Sequence, residues 1–206
     1  MINQLIDCLQ IASDLFNQST ERIFWNLFLA SIPLALSFYL FDSSVVRNLF
    51  WWSILLLFIA FLPNAPYVLT DAIHIIELSQ AEYPSWAVYA VLIPQYMVFI
   101  VVGFEAYVIS LTRIENYLSD LVEHKYLLIV NTLTHILCTV GIYLGRFERF
   151  NSWDFVTQPI HVVLTMTQDL LDVWKLLSMA IAWLTIWLLT ELTKLVNRKI
   201  GSMTIN

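Results

Sequence analysis

The chain has 206 residues, of which 59% are hydrophobic and only 13% charged, against roughly 25% charged in soluble domains. A mean hydropathy of +0.73 is too apolar for a water-soluble surface of this size. The net charge of −6 excludes a nucleic-acid partner, which calls for clustered Lys and Arg. The length suits one domain, and nothing in the chain marks a second.

At the N-terminus, residues 1–20 carry Ile2, Leu5, Ile6, Leu9, Ala12, Leu15 and Phe16 at helical spacing, with Asn3, Gln4, Asp7 and Asp14 between them. No positive stretch precedes a short apolar run, so a cleaved signal peptide is not expected. The pattern predicts an amphipathic helix on the membrane or against the bundle. It lacks the Lys/Arg face of a lipid anchor, which favours docking on the protein.

A spanning helix needs about 20 mostly apolar residues. Five stretches qualify: 23–41, 49–69, 86–111, 126–144 and 176–196. Trp25, Trp51, Trp52, Trp86, Trp153 and Trp174 fall near their ends, as interfacial aromatics do. Residues 155–173 are too polar to span, with Thr157, Gln158, His161, Gln168, Asp169 and Asp172, yet Ile160, Val163, Leu164, Leu170 and Leu171 give them one apolar side. That segment reads as an interfacial or re-entrant helix. The expected fold is thus all-α: a polytopic transmembrane bundle of about five spans in one domain over 1–206, with an N-terminal amphipathic helix and one interfacial or re-entrant helix. Cys8 and Cys138 make no disulfide framework and read as small apolar side chains.

Five spans put the first, third and fifth connections on the face of the C-terminus. They carry Arg47, Arg113, Lys125, Lys194, Arg198 and Lys199, against Arg22, Arg146, Arg149 and Lys175 on the other face. The positive-inside rule then leans towards a cytoplasmic C-terminus in a bacterial plasma membrane.

The second span does not end like an ordinary helix. It runs Leu62-Pro63-Asn64-Ala65-Pro66-Tyr67, then Thr70-Asp71 and His74. Pro63 and Pro66 each remove a backbone donor, so the helix must kink or unwind. In lipid the freed carbonyls need partners, which directs such a break towards protein or a watery cavity. Asn64 can fill that need or offer its amide to a ligand. Asp71 and His74, three apart, would share a helix face, as a base with its orienting partner or as two metal ligands. Two are fewer than the three or four ligands a metal site expects, so no metal or other cofactor is assigned.

The fourth span closes on Gly145-Arg146-Phe147-Glu148-Arg149-Phe150-Asn151-Ser152-Trp153-Asp154. Arg146 and Arg149, also three apart, can converge on one carboxylate or phosphate. Asn131, His135 and Thr139 make a polar stripe leading towards Tyr143 and Arg146, and such a stripe should face the bundle interior. The ends of the second and fourth spans are two crossings apart, so they lie on one membrane face in either orientation. The candidate ligand-binding residues are therefore Asn64, Tyr67, Asp71, His74, Arg146, Arg149, Asn151, Trp153 and Asp154; no catalytic residue is assigned. Each has a plainer reading: the prolines end a helix, Asn64 and Asp71 serve loop backbone, the arginines snorkel, and Asp154 caps the next segment. Glu105, inside the third span, is costly unless paired or near the surface.

These two elements resemble a bacterial family of small membrane proteins known as a domain of unknown function, family thirteen sixty-one. Its signature, a Leu-Pro-Asn-Ala-Pro-Tyr element followed by Thr-Asp and His and later Gly-Arg-Phe and Asn-Ser-Trp-Asp, corresponds here to residues 62–67, 70, 71 and 74, then 145–147 and 151–154. The resemblance implies a membrane protein and this choice of site, and it brings no activity with it. Three functions stand open: binding or moving a small polar or anionic ligand or lipid headgroup, a structural or accessory subunit, and an intramembrane enzyme using Asp71 and His74. The expected partners are the bilayer, that ligand, and a second copy or another membrane protein, because five spans make a thin bundle.

Overall fold

The computed structural model describes residues 2–80, 83–150 and 154–203, apart from the side chains of Phe155, Val156 and Met203. Every regular element among them is helical. Helix α1 (Ile2–Leu40) is one helix of 39 residues, so the N-terminal amphipathic segment and the first span are not separate elements. Residues 17–22, where the two were divided, contain neither Gly nor Pro. Ser19 and Thr20 turn their hydroxyls back onto the Phe16 carbonyl at 3.3 and 2.6 Å, as mid-helix Ser and Thr can. At 1.5 Å per residue α1 is about 58 Å long, well beyond a hydrocarbon core of about 30 Å. Its first two turns stand clear of the bundle, with Ile2, Leu5 and Leu9 exposed, whereas Leu15 is buried.

The second span comprises α2 (Leu49–Phe61), the short α3 (Asn64–Tyr67), a 3-10 turn (Val68–Ala72) and α4 (Ile73–Ser79). Asn48 caps α2 by accepting from the Trp51 amide at 3.0 Å. The third span opens with α5 (Ser85–Ala87) and a π turn (Val88–Leu92) and continues as α6 (Ile93–Ser119). Pro94 cannot donate to the carbonyl four residues back, and the turn before it widens accordingly. Helix α7 (His124–Arg146) is the fourth span and α10 (Val173–Met203) the fifth. Five helical stretches are long and apolar enough to cross a membrane.

Their outward faces are apolar: Phe24, Leu56, Val98, Leu128 and Leu188 are all exposed. That surface suits lipid, not water. The polypeptide is a multi-pass membrane protein. Helix α6 lies at the centre, packed on α1 and flanked by α7 and the broken second span. It buries Tyr96, Phe99, Phe104, Tyr107, Val108 and Leu111.

Between α7 and α10, α8 (Asp154–Thr157) and α9 (Pro159–Leu170) occupy the segment read as interfacial or re-entrant. The 12 residues of α9 reach about 18 Å, too short to cross. Val162 joins Tyr143, Leu144 and Met179 in a small apolar cluster that fixes α9 to α7 and α10. Lys175 ties it again, bonding Asp169 at 2.5 Å and Glu148 at 3.4 Å.

The polar stripe on α7 does face inward, but much of it serves the other end of the bundle. Asn131 donates to Glu115 at 2.6 Å, and the buried Lys194 bonds Glu115 at 2.5 Å and Glu191 at 3.3 Å. His135 Nδ1 and the Tyr107 hydroxyl, both buried, are 2.5 Å apart. Glu105 is paired too, accepting from Asn197 at 2.5 Å. Unpaired, each of these groups would cost several kcal/mol in hydrocarbon; matched, they lock α6, α7 and α10 together.

Candidate functional site

The proline break tightens the second span without unfolding it. Pro63, Tyr67, Val68 and Ala72 all keep right-handed helical dihedrals. The Ala65 amide donates to the Leu62 carbonyl at 3.2 Å, and the Asn64 side-chain amide takes over the Phe61 carbonyl at 3.0 Å. Asn64 therefore does fill the gap left by the prolines. Thr70 likewise bonds the Tyr67 carbonyl at 2.8 Å. A 3-10 turn has three residues per turn, which eclipses positions three apart. Asp71 lies in that turn and His74 in the first turn of α4, and their spacing of three keeps both on one face.

Asp71 points into the bundle and is 1% exposed. Asn26 of α1 donates to its Oδ2 at 2.5 Å. His74 Nε2 and Arg146 Nη1 each lie 3.7 Å from its Oδ1. His74 Nδ1 bonds Glu77 at 2.5 Å, which assigns the proton to Nδ1 and leaves Nε2 facing Asp71. Arg22, one helical turn before Asn26, acts electrostatically on Asp71, Glu77 and Tyr96. The Tyr96 hydroxyl is buried, with Arg22 as a loose polar partner outside strict hydrogen-bond geometry. Of the four spans that contribute to this cluster, the second and fourth are brought close by glycines. A Cβ on Gly141 would come within 2.6 Å of the Pro63 ring, and one on Gly145 within 3.4 Å of the Tyr67 ring. The close approach brings Arg146, at the end of α7, beside Asp71.

Next to the cluster lies a cavity of about 550 Å³ between α1, the second span and α7. Asn26, Asn64, Tyr67, Gly145 and Phe150 line it at the break, and Leu56, Ile59 and Leu137 towards the lipid. Asn26 belongs to both, with its amide on Asp71 and its side chain in the cavity wall. The volume falls in the range of small-molecule pockets, roughly 300–1,000 Å³.

Of the residues selected from sequence, Asp71, His74 and Arg146 come together, and Asn64 and Tyr67 face the adjoining cavity. Arg149 does not join them, contrary to the convergence expected from its spacing. Helix α7 ends at Arg146, and Arg149 takes a left-handed conformation (φ 57°) that turns the chain so that the Phe150 amide reaches the Leu144 carbonyl at 3.0 Å. The spacing of three then no longer means a shared face, and Arg149 is exposed, with no ion-pair partner among the described residues. Asp154 begins α8. Asn151 and Trp153 lie outside the described residues.

Four members of the cluster escaped the sequence reading: Arg22, Asn26, Glu77 and Tyr96. Parity could have found the first two. The start of the first span is two crossings from the end of the second, so Arg22 and Asn26, one turn apart, share the face of Asp71. Glu77 repeats the spacing of three beyond His74. Among the described residues no group of three or more His, Cys, Asp or Glu side chains is arranged to hold a metal ion.

A family model described as "Protein of unknown function (DUF1361)" matches residues 25–191, a stretch that runs from the cluster on α1 through every span to α10. No curated protein and no solved structure matches the chain.

Proposed function

Starting from a chain that belongs to the DUF1361 family of proteins of unknown function, we propose that the Asp71–Arg146 cluster binds a small anionic or polar ligand, lipid headgroups included, at one face of the membrane. One observation carries the reading. The Arg146 guanidinium contacts Asp71 only at 3.7 Å, and among the described residues no acceptor takes its planar fork of donors, which suits a phosphate or carboxylate. Arg22, which interacts with the buried Tyr96 hydroxyl, adds a second cation. The charge of Asp71 is offset by Arg146 at 3.7 Å and by the field of Arg22. The cavity beside the break gives the ligand room and a route from the bilayer. The Lys/Arg distribution supports an orientation with the C-terminus in the cytoplasm and this cluster outside, and the family resemblance supports a bacterial plasma membrane.

A structural role is the second reading, favoured by the Asn26–Asp71 bond, which joins the first span to the second. Thermal stability of the purified protein, titrated with inorganic phosphate, glycerol phosphate and acetate, separates the two. Binding predicts that at least one anion stabilises the wild type in a saturable way, and that Arg146→Gln folds but loses the effect. No response to any of them, or a response unchanged in Arg146→Gln, refutes anion binding there. An Arg146→Gln protein that aggregates during purification supports the structural role instead.

A further inference from the structure

On the opposite side of the bundle, α2 and α7 part company. They are held close at the break, where Pro63 meets Gly141. From there they diverge around a wedge of about 460 Å³ closed at the back by α6. Ile59 and Leu137 line both this wedge and the cavity near Asp71, and so mark the narrow point between the two. The walls are Trp51, Leu55, Phe58, Ile114, Leu118 and Leu133. Their few polar atoms are already engaged. The Trp51 indole donates to the Leu40 carbonyl at 3.0 Å, and the Thr134 hydroxyl to the Val130 carbonyl at 2.8 Å. Such a space offers water nothing to bond, and hydrocarbon suits it better.

The mouth is different. Tyr117, which lines the wedge, accepts a bond from Arg47 Nε at 2.8 Å, and the guanidinium carbon lies 5.3 Å from the centre of its ring. The remaining Arg47 donors have no partner among the described residues. The nearby acid does not take them. Asp42 accepts from the Ser44 hydroxyl and amide at 2.7 and 2.8 Å, and these bonds hold its carboxyl below the ordinary carboxylate range. Arg113 is occupied as well, donating to the Ser37 and Phe38 carbonyls at the end of α1 and stacked on the Phe38 ring. Arg47 is therefore an exposed cation with donors to spare, fixed at the entrance of a dry apolar wedge and beside the interfacial Trp51 and Trp52.

We propose that this wedge is a binding site for an anionic phospholipid from the leaflet adjoining the 41–48 connection, its phosphate held by Arg47 and one acyl chain inserted between α2, α6 and α7. The occupant follows from charge: every phospholipid brings a chain and a phosphate, but a zwitterionic headgroup partly neutralises that phosphate with its own cation, so a headgroup of net negative charge gains most from a guanidinium with spare donors. The site is independent of the Asp71 cluster, which lies at the other end of the spans.

The test is lipid retention by the full-length protein. The protein is purified in detergent with equimolar phosphatidylglycerol and phosphatidylcholine, and the bound species are counted by native mass spectrometry. The wild type should hold phosphatidylglycerol over phosphatidylcholine by about fivefold, the effect of one interfacial cation. Arg47→Gln should erase that preference. Leu133→Trp, at an exposed position on the rim, should block the wedge and reduce both lipids. Arg198→Gln, on the same face, should leave the preference intact, and the comparison is repeated in an Arg146→Gln background so that any lipid held at the other cluster is counted apart. Equal retention of the two lipids by the Arg146→Gln protein, or a preference there that survives Arg47→Gln, overturns the proposal.

Discussion

The contact most exposed to a single methyl group is the one between α7 and the broken span. Carbon atoms pack well at about 3.5–4.0 Å, yet a Cβ added to Gly141 would stand 2.6 Å from Pro63 Cβ and 2.8 Å from its Cγ. The proline ring cannot rotate away, because it is closed onto its own backbone. Gly141→Ala must therefore push α7 off the break, at an overpacking cost of about 1–3 kcal/mol. Against this stands the gain of roughly 1 kcal/mol from replacing Gly by Ala in a helix. Gly201 supplies the control. It is helical too, and no described residue lies within 4 Å of a Cβ added there, so Gly201→Ala receives mainly the gain, reduced by fraying near the chain end. The difference between the two variants isolates the clash. For a chain of 150–250 residues each kcal/mol is worth about 2–4 °C, which places Gly141→Ala roughly 2–12 °C below Gly201→Ala. Apparent Tm from fluorescence-detected gel filtration in detergent measures it. If Gly141→Ala melts with or above Gly201→Ala, the helices are not in tight contact there, and the account of how Arg146 reaches Asp71 fails with it.

Two other substitutions probe features found only in the folded protein. Lys194→Ala strands Glu115 and Glu191 without their cation and should cost about 3 kcal/mol; in a double-mutant cycle, Lys194→Met with Glu115→Leu should recover most of that loss, and a strictly additive cycle would deny the pair. Arg149→Gly should raise apparent stability by up to about 1 kcal/mol, because glycine takes the left-handed conformation at no steric cost. Arg149→Val should lower it, and the reverse order in a thermal melt would contradict the turn described after α7.

The spans, the break and the meeting of the second and fourth spans were all legible in the amino-acid order, and for one reason. Crossing a bilayer needs a run of apolar residues of set length, and two prolines three apart cannot sit in a regular helix, so both features are local. Parity is equally robust: it needs only the number of crossings, and it brought Asp71, His74 and Arg146 to one face without any knowledge of packing. Boundaries were less legible. The amphipathic start of α1 and the first span are one helix because nothing between them breaks the backbone, and hydropathy marks where lipid begins, not where a helix does. What depended on rotation about the helix axes could not be read at all. Asn26 meets Asp71, and Lys194 meets Glu115, because α1 and α10 present those faces to their neighbours, which is settled by side-chain packing across α6. Arg149 shows the same limit from the other side. Its spacing from Arg146 implied a common face only while the helix lasted, and the tertiary turn ended the helix three residues too soon.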